Sequence, residues 1–174
     1  MKRKTNKQTR AARIPVASGP PLLRVRSILV PIDFSPASKA ALSDAVSAAR
    51  RFKAKLTLLH VVEPVATPDF AASFPLAMED DQLMAAAKNK LEGAMKAARI
   101  PRGLVEKILV RFGRSFHEIT EAARTRKVDL IIISTHGYTG LKHALLGSTT
   151  ERVVRHAPCP VLVVRQREHE ILAS

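Results

Sequence analysis

The sequence predicts an α/β domain: a doubly wound, five-stranded parallel sheet with helices on both faces. Two observations carry this expectation. Five short runs rich in Val, Ile and Leu alternate with four stretches of helical pattern, in the order β-α-β-α-β-α-β-α-β. Such alternation belongs to parallel strands joined by right-handed helical crossovers. In addition, 46% of the 174 residues are hydrophobic and only 4% are aromatic, with no Trp, so one domain with an aliphatic core is expected.

The first strand is "RSILVPID" (26–33), a β-branched apolar run that ends at Asp33. "SPASKAALSDAVSAARRF" follows it, with Ser35 placed to N-cap and Pro36 at the first helical position, where its missing N–H costs nothing. Ala40, Ala41, Ala45, Ala48 and Ala49 form a small-residue face able to pack close on a sheet. "AKLTLLHVVE" (54–63) is the second strand, and 64–76, with three prolines, is a loop.

Residues 77–100 read as a long helix with acids in its first turn and cations in its last, as the helix dipole favours. "LVEKILVRF" (104–112) alternates in part and is expected at or near an edge. The helix 115–127 opens on Ser115 and Glu118, spaced as a capping box. "VDLIIIST" (128–135) is the most apolar run and is expected to be central. The helix 148–157 opens on Ser148 and Glu151, again spaced as a capping box. In the last strand, "PCPVLVVRQ" (158–166), Pro158 and Pro160 cannot donate to a ladder and belong at the strand start or an edge.

The formal charge of +14 is unevenly placed. Residues 1–26 hold eight Lys or Arg and no acid, so about +6 remains on the rest. Residues 1–25 read as a basic disordered arm and linker, 26–167 as the folded domain, and 168–174 as a C-terminal tail. Any nucleic-acid contact is expected to be weak, salt-sensitive and borne by the arm. The single cysteine, Cys159, excludes an internal disulfide and fits a cytoplasmic protein. No apolar run approaches the roughly 18–20 residues that cross a bilayer, and no apolar h-region of a secretory signal precedes Arg24.

Ligands of such sheets bind beyond the strand carboxyl ends, where strand order reverses. The candidate polar groups there are Asp33, after the first strand, and Ser134 to Gly137, after the fourth. Asp33 would accept hydrogen bonds from a ribose, or it caps the turn into the first helix. Gly137 and Gly140 permit close backbone approach. Gly147 and Ser148 stand at a helix start, where N–H groups and the dipole favour an anion. The segment 134–154 therefore reads either as a phosphate cradle or as a connector. His136, Lys142 and His143 are further donors in it, or solvated loop residues.

Several chemistries lack their motifs. There is no Gly-x4-Gly-Lys-Ser/Thr phosphate loop, and "PIDFSP" stands where a dinucleotide fold carries G-x-G-x-x-G. There is no G-x-S-x-G nucleophile elbow. His117 lacks the second His at i+4 that a zinc site needs. Cys159, between two prolines, reads as a packed strand residue or an exposed thiol.

The chain resembles the universal stress protein family over about residues 26–166. "ILVPIDFSPASKAAL", "LTLLHVVE" and above all "VDLIIISTHGYTGLKHALLGSTTERVVRHAPCPVLVV" carry the resemblance. It implies strand order 3-2-1-4-5, a Rossmann-like fold of the adenine nucleotide alpha hydrolase-like group, and a homodimer formed through the last strand. The ATP-binding branch has a motif G-x2-G-x9-G followed by Ser or Thr. Gly137, Gly147 and Ser148 match it, whereas Ser134 occupies the first glycine position. By this resemblance Pro31, Ile32, Asp33, Val61 and Ile133 would meet adenosine. Ser134, His136, Gly137, Gly147, Ser148, Thr149 and Thr150 would meet ribose and phosphates, with Mg2+ neutralising part of the charge. The implied function is a nucleotide-binding stress regulator with at most slow ATP hydrolysis. Two alternatives stand beside it: a nucleotide-independent dimeric interaction module, and an adenylyl-transfer enzyme, for which no catalytic motif is present.

Overall fold

The computed structural model describes residues 24–64, 80–135 and 146–165. The basic arm, the proline-rich loop, most of the glycine-rich segment and the C-terminal tail lie outside the described residues. Five strands, β1 (Ser27–Pro31), β2 (Lys55–Val62), β3 (Val105–Phe112), β4 (Leu130–Ser134) and β5 (Val161–Val164), form one parallel sheet. Their order is β3-β2-β1-β4-β5, as the resemblance implies. Four helices alternate with them: α1 (Pro36–Phe52), α2 (Asp80–Ala97), α3 (Ser115–Thr125) and α4 (Ser148–His156).

Strand alternation divides the core into two. Side chains of a strand point alternately to opposite faces. Ile28, Val30, Leu56, Leu58 and Ile132 therefore meet Ala41, Ala45 and Ala49 of α1 and Leu91 and Met95 of α2. Leu29, Leu59, Ile131 and Ile133 meet Ile119, Ala122 and Ala123 of α3 and Val153 of α4. Ala41, Ala45 and Ala49 of the small-residue stripe are buried, which brings α1 close to the sheet, whereas Ala40 and Ala48 are only partly buried. β4 is apolar up to its last residue, Ser134, and buried throughout, because both of its faces are covered.

Two placements refine the sequence reading. β3 is an edge strand, as its partial alternation suggests, and β5 is the other edge. β4 is interior, but the middle strand is β1. Both are shielded by neighbours on each side, so burial alone does not rank them. Pro158 and Pro160 precede β5 instead of interrupting it, and the Pro160 carbonyl accepts from Ile131 N–H at 3.0 Å. α1 begins as expected, with Ser35 Oγ accepting from Ser38 N–H at 3.1 Å and Pro36 in its first turn.

Candidate functional site

β1 and β4 are neighbours, and the chain leaves them toward opposite faces of the sheet: β1 leads into α1, β4 toward α4. A cleft of about 350 Å3 opens beyond their carboxyl ends. It is lined by Pro31 at the end of β1, Ile32 and Asp33 after it, Val61 on β2, Ile133 and Ser134 on β4, and Gly147, Ser148, Thr149 and Thr150 at the start of α4. The sequence reading names every one of these. His136 and Gly137, with Gly140, Lys142 and His143, lie outside the described residues.

At the α4 side the backbone is tied down on both sides of the turn. Gly147 N–H donates to the Thr135 carbonyl at 2.7 Å, and Thr135 N–H donates to the Val164 carbonyl at 2.9 Å. The Thr150 hydroxyl donates to the Ser134 carbonyl at 2.8 Å. The first intrahelical bond is Glu151 N–H to the Gly147 carbonyl, at 2.9 Å. Ser148, Thr149 and Thr150 thus carry the N–H groups that precede that bond, at the positive end of the helix dipole.

The capping box expected here is absent. Gly147 is the N-cap and Ser148 the first helical residue, and no side chain caps the end. Glu151 instead pairs with Arg155 at 2.8 Å. The expectation fails by one residue because the Gly147 bond to Thr135 fixes the entry into the helix. Ser148 is therefore exposed, at the rim of the cleft, rather than folded back on its own backbone.

Glu63 and Ser115 also line the cleft, together with Leu59 of β2 and Ile119 of α3. Glu63 Oε1 accepts from Ser115 N–H at 2.8 Å, so a carboxylate from the end of β2 occupies the start of α3. The Ser115 hydroxyl and then its backbone N–H hold the Glu63 carboxyl below its ordinary value, against the opposing effect of burial. The Ser115–Glu118 capping box is likewise absent. Arg114 is the N-cap, and Glu118 turns to Arg111 at 3.3 Å and His117 at 3.0 Å. Glu63 is a lining residue that sequence reasoning missed, although it follows directly on β2 as Ser134 ends β4 and Asp33 closely follows β1.

The β1–α1 turn is held from several sides. Asp33 Oδ1 accepts from Ser35 N–H at 2.9 Å, which realises the turn-capping role. Ile32 N–H donates to the Leu59 carbonyl at 2.7 Å, and the Ile32 carbonyl lies 2.7 Å from His60 Nδ1, which donates to it. The His60 ring also packs on Phe34 with centroids 4.6 Å apart, and Lys90 Nζ stands 4.3 Å from the Phe34 centroid. Phe34 takes φ 67°, a left-handed conformation uncommon for a bulky residue. These contacts hold the strained turn that presents Ile32 and Asp33 to the cleft.

This sheet order is found in known proteins. The sequence signature of the universal stress protein family matches residues 24–165. The chain belongs to the universal stress protein family. A universal stress protein of Thermus aquaticus is 37% identical over 142 residues, covering 80% of this chain and 98% of that one. The structure of universal stress protein UspA from Lactobacillus plantarum is 34% identical, covers 82% of this chain and 99% of its own, and superposes with a TM-score of 0.71. A universal stress protein solved in complex with cAMP is 24% identical, covers 82% of this chain and 98% of its own, and has a TM-score of 0.55, which speaks for the fold.

Among the described residues no group of three or more His, Cys, Asp or Glu is placed to hold a metal ion. No described helix is long and apolar enough to cross a membrane. Cys159 is half-buried, and burial, then the charge of Asp129, push its thiol up, which favours the unreactive protonated form.

Proposed function

We propose that this universal stress protein binds ATP or a related adenine nucleotide in the β1/β4 cleft and acts as a cytoplasmic, dimeric stress-response regulator. The observation that carries the reading is the start of α4. Three backbone N–H groups at a helix N-terminus face a cleft whose opposite walls are the apolar Ile32, Val61 and Ile133. An anion suits the first and a flat base the second. The residues fit such a ligand: the volume lies within the range of small-molecule sites, and Asp33 keeps acceptor capacity beyond its bond to Ser35. Ser148 and Thr149 would add hydroxyls toward phosphate, whereas Thr150 would contribute only its N–H, since its hydroxyl is engaged with Ser134. Mg2+ would arrive on the phosphates, as it commonly does, and would neutralise part of their charge.

A dimer through the last strand is supported by the exposed Leu162 on the edge strand β5 and Val154 on α4, 47% and 46% accessible. The exposed β5 edge also supports a second reading, a nucleotide-independent interaction module, which Ser134 at the first glycine position of the motif also favours.

Gly147→Asp tests the reading. Gly147 has φ −66° and ψ 148°, open to any residue, so the exchange leaves the backbone unstrained. Asp is a better N-cap than Gly by a few tenths of a kcal/mol. It would also place a carboxylate where phosphate is expected. Calorimetry with Mg-ATP should show affinity reduced at least about tenfold, with Tm unchanged or slightly raised. Wild-type affinity in this variant would contradict the proposal.

A further inference from the structure

Two helix N-termini border the cleft, and they are treated differently. At α3 the chain supplies its own anion, the Glu63 carboxylate on Ser115 N–H. At α4 the N-cap is a glycine with no side-chain cap. The cleft is therefore polarised, negative at one end and receptive to negative charge at the other. Sheet order fixes the direction: Glu63 follows β2, Gly147 follows β4, and β1 lies between them. Those ends are two strand spacings apart, about 10 Å.

We infer that Glu63 is a specificity-determining residue that selects a base bearing an amino group. This rests on the nucleotide reading above. With phosphates seated at α4, the base extends over β1 toward β2, past Val61, and its far edge meets the Glu63 rim. An ionised carboxylate is an acceptor only, with about four lone-pair directions. The Ser115 N–H occupies part of that capacity, and Ser115 holds the carboxylate in its ionised, accepting state. An exocyclic amine donates to what remains. A purine lacking the amine leaves the carboxylate without that donor.

The test is a double-mutant cycle on the full chain, with ATP and purine riboside 5′-triphosphate as ligands and wild type, Glu63→Gln and Glu63→Ala as proteins. Calorimetry gives the affinity ratio of the two ligands, which cancels any general weakening of the cleft. Wild type should prefer ATP by about tenfold, the worth of a hydrogen bond to a charged group. E63Q, which keeps an acceptor for Ser115 but no charge, should prefer it several-fold less. E63A should bind both equally. An unchanged ratio in E63A with both ligands still bound would overturn the role of Glu63 alone. A wild type that binds neither triphosphate would overturn the nucleotide reading, and this inference with it.

Discussion

Thr57 is 1% accessible, and its hydroxyl has no hydrogen-bond partner, although it sits in mid-strand between apolar neighbours. A buried hydroxyl without a partner costs free energy that a methyl of similar shape does not. Thr57→Val is expected to stabilise the fold by about 1 kcal/mol, or about 3 °C in Tm; a thermal melt showing a lower Tm would refute this. Single residues were legible in the sequence where position on a strand decides their role. Asp33 and Ser134 are found by asking which polar side chain ends an apolar run. The same question put to "LLHVVE" reaches Glu63, but there the acid reads only as the end of a strand. Its meaning depends on Ser115, 52 residues away, which brings its N–H to that carboxylate. No local spacing encodes that meeting.

Helices and strands were legible by periodicity, and their starts less so. Ser-x-x-Glu has the same spacing whether Ser is the N-cap or the first helical residue, and at both α3 and α4 it is the latter. Long-range bonds decide: Glu63 takes the Ser115 N–H, and the Thr135 carbonyl takes the Gly147 N–H. Ser35 is a true N-cap, and there the proline behind it fixes the register. The end of β1 depends on β2 in the same way. His60 supplies the Ile32 carbonyl with the partner that the ladder no longer provides, and its ring supports the strained Phe34. His60→Phe keeps a ring but removes the donor. It is expected to cost about 1–2 kcal/mol by denaturant unfolding and to weaken nucleotide binding through the displaced turn. Unaltered stability would show that the hydrogen bond does not hold β1.

For the molecule as a whole, alternation of strands and helices establishes a parallel sheet, and the apolar content establishes a packed interior, which the sheet divides into two. Neither sets the strand order. The interior runs β1 and β4 are similar in composition, so only the family resemblance placed them side by side, and the sheet bears it out. That adjacency assembles the cleft from residues a hundred positions apart, Pro31 to Asp33 on one side and Ser134 and Gly147 to Thr150 on the other. The central claim is that this cleft holds an adenine nucleotide despite Ser134. The most direct measurement is to denature freshly purified protein and identify released nucleotide by chromatography and mass spectrometry, then titrate any empty protein with Mg-ATP in a calorimeter. Near-stoichiometric ATP or ADP, or saturable binding by the empty protein, is the expected result. A protein that releases no nucleotide and takes up none would contradict the account and leave the β5 edge, not the cleft, as the functional surface.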